Sequence, residues 1–458
     1  MADHVAAGDR IAVALSGGRD SVALFTAACD VARDRVVALH VHHGLSTHAD
    51  AWAAHCADLA QAAGAPFVLR RLDVNRDDPR GIEEAARVAR YQALADAARE
   101  AGAAVVLLAH HQDDQAETLL LQLGRGAGPH GLAGMPVMRR DASGIVWLRP
   151  FLEVPRTAIE AFVGERNLRY VDDDSNASSR HRRNALRQSV IPALAAAMPG
   201  YPATLARVSA HQADAARLAD ELAELDAGAL VRDGTLDREG LGRLSPHRAR
   251  NLLRYFLREQ GLRVPSTARL AAMVDQLGTA RADARVELKH DGRVLGVHRG
   301  RIVVHHALPP RFLREWHGEP SLALAHGRLL FTPSLGEGLA QALVAGRRVV
   351  VRAREGGESV RLFRDRPRRA LKAWLQEAGI PHWERDTLPL VFCDDALAVV
   401  PGLGVATEFA AGPASAGIRI QWEPNERQGP TAMKACGNKP EGQIDAVSVH
   451  KAAPWSID

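Results

Sequence analysis

The chain has 458 residues, 47% of them hydrophobic and 24% charged, with a formal net charge of +4. That is the composition of a soluble globular protein too long for one core, so roughly two to four domains are expected. No apolar run approaches membrane-spanning length, and the first ten residues, with Asp3, His4, Asp9 and Arg10, lack the apolar stretch of a secretory signal.

The first 200 residues alternate between short apolar runs and alanine-rich helical segments. Strands are expected at 10–16, 35–42, 66–72, 104–109 and 145–149, with helices at 21–33, 49–63, 82–101 and 114–123 between them. Such alternation implies an α/β fold with a doubly wound parallel sheet, which binds ligands beyond the carboxyl ends of its strands. The turn after the first strand reads Ser16-Gly17-Gly18-Arg19-Asp20-Ser21. Two glycines permit a tight turn that leaves consecutive N–H groups facing an anion, the serines add hydroxyl donors, and the following helix adds its dipole. The loop is built for phosphate. It lacks the lysine of a G-x-x-x-x-G-K-S/T loop and carries Asp20 instead, which suits a magnesium ion bridging phosphates.

The second strand ends in His40-Val41-His42-His43-Gly44-Leu45, and the fourth in His110-His111-Gln112-Asp113-Asp114-Gln115-Ala116-Glu117. Zinc-ligand spacings are absent, so His43 and His110 are expected to hydrogen-bond a nucleotide or its phosphates. Asp114 and Glu117 share one helix face and form a candidate cation site, for Mg²⁺, for an ammonium group, or for both. Residues 126–131 match G-x-G-x-x-G but follow a helix instead of a strand, so they read as a glycine loop with Arg125 available to a phosphate or nucleobase. After Asp172-Asp173-Asp174-Ser175-Asn176, Arg183 and Arg187 lie four apart and can present a double anion clamp.

A long helix is expected at about 203–226, then helices at 247–260 and 266–277 and strands at 284–289, 293–298 and 301–306. Pro309-Pro310 and residues 333–346 read as punctuation. Residues 347–372 carry nine arginines and Lys372 against three acids, a candidate polyanion surface. The tail from 424 has little periodic apolar content and reads as disordered or loosely attached. The four cysteines, Cys29, Cys56, Cys393 and Cys436, form no C-x-x-C pair, which points to a reducing compartment.

The loop at 16–21 resembles the SGGxDS signature of the PP-loop ATP pyrophosphatases (adenine nucleotide alpha hydrolase-like fold), which cleave ATP between its α- and β-phosphates. Together with 40–45, 109–118, 124–135, Arg149-Pro150-Phe151-Leu152, 173–176 and Arg183 to Arg187 with Pro192, it is similar in order and spacing to the tRNA(Ile)-lysidine synthetase family (TilS). The stretch around 250–276 looks like that family's substrate-binding domain, and 350–402, with Gly379-Ile380-Pro381-His382-Trp383, resembles its C-terminal domain. One departure is Ser46, where the family's second motif more often has arginine.

The resemblance implies a PP-loop catalytic domain at 1–202, a connecting helix at 203–226, and two smaller tRNA-binding domains at 227–332 and 347–423, with 424–458 a tail. It implies a cytoplasmic carbon–nitrogen ligase that adenylates the C2 oxygen of the wobble cytidine of tRNA(Ile) with a CAU anticodon, then lets the ε-amine of free L-lysine displace AMP. Ser16, Gly17, Gly18, Arg19, Asp20, Ser21, His43 and His110 would bind ATP, with Asp20 also holding Mg²⁺. Asp114 and Glu117 would bind lysine, and Arg125, Arg183 and Arg187 the tRNA. A tRNA thiolase is the rival within the superfamily; it needs cysteine chemistry, and no cysteine lies beside the candidate loops in sequence.

Overall fold

The computed structural model describes residues 9–42, 44, 47–72, 82–171, 182–279, 286–307 and 309–425. The chain divides into two compact units, one ending at Asp220 and the other starting at Glu221.

In the first unit the expected strands form at Arg10–Ala14 (β1), Val36–His42 (β2), Phe67–Arg71 (β3), Ala103–Leu107 (β4) and Val146–Leu148 (β6). Arg19–Ala32 (α1), Ala49–Ala63 (α2), Ile82–Glu100 (α3) and Gln112–Leu123 (α4) are the expected helices. Short segments at Pro129–Leu132 (α5), Met138–Arg140 (β5) and Arg156–Glu165 (α6) complete the elements that bear on the site. Among the described residues the sheet order is β3-β2-β1-β4-β6-β5, parallel except for β5. The antiparallel β5 is three exposed residues long and has no apolar alternation to read. Asp141 holds its turn by accepting from Ser143 N, Ile145 N and Trp147 Nε1.

Alternate residues of each strand face opposite layers. Ile11, Val13, Ala38, Val105 and Leu107 pack with Val22, Phe25, Cys29 and Cys56 of α1 and α2. Ala12, Val37, Leu39, Val106 and Trp147 pack with Leu94, Ala97 and Ala98 of α3. Because both faces are covered, the strands read as unbroken apolar runs. From β1 the chain winds outward to β3, then returns along the other face through α3 to β4. The winding reverses between β1 and β4, so the crevice lies beyond their carboxyl ends.

The second unit holds two cores. Helices Pro246–Glu259 and Thr267–Thr279 pack Leu252, Leu253, Phe256, Met273 and Leu277 against Leu236, Leu295 and Ile302 of a five-stranded sheet. The other core gathers Leu329, Phe331, Val351, Leu371, Trp374, Leu390 and Val399. Leu313–Trp316 pairs with Val349–Arg352, and Gly327–Leu335 with Ala416–Pro424. Residues 313–335 therefore belong to the C-terminal sheets, although the resemblance implied a middle domain running to 332. Residues 333–346, read as punctuation, include the strand Leu339–Ala340 and the helix Gln341–Val344. Long-range antiparallel pairing decides this, and a local window does not register it.

Candidate active site

The loop between β1 and α1 is tight because Gly17 has φ +90, a conformation that disfavours any side chain. A Cβ there would lie 3.1 Å from Val171 Cγ2 and 3.2 Å from Cys56 Sγ. Val171 N donates to Gly17 O at 2.9 Å, bracing the loop. Ser21 Oγ donates to Gly18 O at 2.8 Å and accepts from Ser16 N at 3.2 Å, fixing the curve from within. No side chain caps α1, so its first N–H groups lack intrahelical acceptors and face outward at the positive end of the dipole. This is an anion nest. Arg19 turns toward Glu160 of α6, at 2.7 Å. His40 is buried, and its Nδ1 meets Leu15 O at 2.8 Å, so it pins the loop from below. His43, with the 172–176 segment, lies outside the described residues.

The start of α4 faces the same crevice. His111 is 4% exposed, and its Nε2 lies 3.6 Å from Asp20 Oδ2 and 3.5 Å from Asp114 Oδ2. Burial disfavours the imidazolium, but Asp20, Asp114 and Asp113 outweigh it and raise the His111 pKa above its ordinary value. Burial likewise works against the Asp20 carboxylate, but His111 and Arg19 hold Asp20 below the usual range. Of the other acids, Asp113 has a packing role, accepting from Arg156 N at 3.1 Å, and Asp114 Oδ2 accepts from His111 N at 3.1 Å.

Asp114 and Glu117 are buried and already hold two cations. Arg183 donates through Nε to Glu117 Oε2 and through Nη2 to Asp114 Oδ1, both at 2.6 Å. Arg187 Nε donates to Glu117 Oε1 at 2.6 Å. The clamp expected to grip an anion is thus closed on the acid pair, because buried carboxylates need compensating charge. Burial first, and then the charges of Asp113 and Glu117, raise the Tyr201 phenol.

A PP-loop domain model matches residues 2–194, a TilS substrate binding domain model 236–303, and a TilS substrate C-terminal domain model 349–422. Among similar proteins, tRNA(Ile)-lysidine synthase of Nitrosomonas europaea is 39% identical, covering 92% of this chain and 94% of its own. That of Ralstonia nicotianae is 43% identical, covering 90% and 92%, and that of Burkholderia mallei 40%, covering 91% and 93%. The chain belongs to the tRNA(Ile)-lysidine synthase family.

Cysteine placement in this synthase-family chain needs one correction. Cys56 does reach the nucleotide loop in space: its Sγ donates to Leu15 O at 3.6 Å. It is fully buried, which pushes the thiol up to about 12. A protonated, inaccessible thiol does no sulfur transfer, so the thiolase reading is not favoured.

Arg125 is exposed just past the end of α4, about 12 to 16 Å along the helix from the acid pair. Gln115, missed by sequence reasoning, holds the glycine loop: Oε1 accepts from Met135 N at 2.8 Å and Nε2 donates to Met135 O at 3.0 Å. His130 of the same loop ties to Asp220 at 2.9 Å.

The basic block at 347–372 is mostly neutralised by acids within it, just after it and from distant sequence. Arg348 meets Glu315, Arg352 and Arg354 meet Glu358, Arg366 and Arg369 meet Glu377, and Arg368 meets Glu408. Arg361 and Arg364 have no carboxylate partner among the described residues. With Pro367, Arg368, Thr407 and Glu408 they line a cleft of about 690 Å³.

Proposed function

We propose that this chain makes lysidine, joining the ε-nitrogen of free L-lysine to C2 of the wobble cytidine of tRNA(Ile) bearing a CAU anticodon, at the expense of ATP. One observation carries the reading. A phosphate nest with Asp20 at its rim stands one histidine, at 3.6 Å, from a buried acid pair that already holds cations.

The C2 oxygen of cytosine is a poor leaving group, and adenylation turns it into part of AMP. That oxygen attacks the α-phosphorus, the bond to the β-phosphate oxygen breaks, and pyrophosphate leaves, its charge met by the N–H groups and hydroxyls of 16–21. Mg²⁺ binds through one or two carboxylates plus phosphate oxygens and waters. Asp20, a single carboxylate beside the nest, fits that donor set and would hold the ion, which would neutralise charge on the phosphates.

The lysine nitrogen then forms a bond to C2 as the C2–O bond breaks and AMP departs. An amine with pKa near 10.4 is neutral in only about one molecule in 2,500 at pH 7, a cost of roughly 4.6 kcal/mol. The acid pair answers both needs, binding the ammonium group and accepting its proton. Arg183 and Arg187 occupy the acids here, so lysine enters by replacing guanidinium groups, freeing them for RNA phosphate.

The test incubates the chain with ATP, labelled lysine and the CAU tRNA and measures the mass of the wobble nucleoside. A gain of lysine less water, with one AMP and one pyrophosphate per event, supports the proposal; an unmodified or sulfur-bearing nucleoside rejects it.

A further inference from the structure

On the opposite face of the sheet from α1, arginines gather. Arg87 and Arg90 of α3 and Arg139 of β5 surround the Tyr91 ring, their guanidinium carbons 5.2, 5.8 and 5.8 Å from its centroid. Tyr91 is braced edge-on by Trp147 at 4.9 Å. Arg149, the residue after β6, is 4% exposed; Nη1 donates to Pro136 O at 2.8 Å, and Nε is buried with no partner. His110 Nδ1 is also buried and unpartnered.

Among the described residues no carboxylate pairs with Arg87, Arg90, Arg139 or Arg149. Two other arginines of the unit do find acids: Arg99, at the far end of α3, pairs with Asp96 at 2.9 Å, and Arg71 with Asp50 at 2.9 Å. Burial, then Arg149, Arg90, Arg183 and Arg87, pushes the His110 imidazole down to about 3, so it stays neutral among cations. Arg149 is buried and Arg90 half-buried, and holding such cations close to the exposed Arg87 and Arg139 without a counter-charge is costly. Among the described residues the cluster has no anion to complete it.

We infer that Arg87, Arg90, Arg139 and Arg149, with His110, form a second phosphate site that takes a backbone phosphate of the RNA substrate beside the reacting nucleotide. The site rests on the proposed RNA substrate, and two placements favour RNA phosphate over the phosphates of ATP. The nest at 16–21 belongs to the α1 face, whereas α3 covers the other. Arg183, bonded to Asp114 and Glu117, is also one of the cations whose field disfavours a charged His110, so a phosphodiester held here sets its attached base toward the acid pair. Neutral His110 adds a hydrogen-bond donor without further repulsion. Its place among these arginines differs from the ATP contact expected from sequence.

The test uses the full chain and three forms: wild type, Arg87→Gln with Arg90→Gln, and Arg90→Lys. Affinity for the CAU tRNA is measured across salt concentrations, and ATP affinity without RNA. The double variant should bind tRNA at least about ten-fold more weakly. Its slope of log affinity against log salt should be shallower by about 0.7 per lost contact. ATP affinity should hold, and Arg90→Lys should recover part of the loss. Unchanged tRNA affinity and slope would overturn the inference, as would weakened ATP binding with tRNA binding intact, which would make the phosphate the nucleotide's. If the double variant does not fold, Arg87→Gln alone, at an exposed position, carries the same reading with half the slope change. A wild type that makes lysidine beside an unchanged slope sinks only this site; no lysidine, with the slope altered, sinks only the activity.

Discussion

Glu117 and Asp114 face the same cations but are committed differently. Both Glu117 oxygens are spent on arginines, whereas Asp114 Oδ2 also caps the start of α4. Glu117→Gln should therefore slow lysine transfer by about 10²-fold or more while sparing adenylation. Single-turnover assays of pyrophosphate release and of lysidine formation separate the steps, and equal loss of both would reject the division. His110 carries a pH signature. Its folded value of about 3 lies below the ordinary 6.5, so below pH 6.5 the unfolded chain takes a proton that the folded chain refuses. Stability present above pH 6.5 is lost as pH falls toward 3. His110→Gln should flatten that limb of Tm against pH; an unaltered limb contradicts the burial argument. At this scale the sequence identified the acids, the loop and the arginine pair by residue type and spacing. That Arg183 and Arg187 close on the acids, and that no described carboxylate pairs with Arg87, Arg90 or Arg149, was not legible, because partners 66 and 70 residues apart leave no mark in a local window.

The elements of the first unit were legible almost to their ends, since strands covered on both faces read as apolar runs and their helices as alanine-rich segments. Edge strand β5 and the strands of 313–335 were not, being held by pairing with partners instead of by their own pattern. Two substitutions probe the frame. Gly17→Ala combines a strained φ with contacts at 3.1 and 3.2 Å, so it should deform the nest and weaken ATP binding with little change in tRNA affinity. Calorimetric titration with ATP checks this, and unchanged ATP affinity would contradict it. Trp147 is 1% exposed and donates to Asp141 at 2.7 Å. Trp147→Ala should cost roughly 3–5 kcal/mol in denaturant unfolding of the first unit; a loss under about 1 kcal/mol would mean the α3 face tolerates the cavity.

For the whole molecule, summed charge is a poor guide to where RNA binds. The 347–372 block looked strongly basic, yet its arginines mostly pair with Glu315, Glu358, Glu377 and Glu408. Its strand Val349–Arg352 is part of a core, so excising the block would unfold the unit it was meant to probe. Arg361→Gln with Arg364→Gln is the cleaner test, expected to flatten the salt dependence of tRNA affinity by about 0.9 per lost duplex contact. The most direct test of the account is pyrophosphate release before any lysine is added. With ATP and tRNA bearing the wobble cytidine, the wild type should release pyrophosphate and hold an adenylated RNA that lysine then converts to lysidine and AMP, and Asp20→Asn should do neither. Pyrophosphate release that needs lysine but no RNA would mean that the amino acid is activated instead, and would contradict the account.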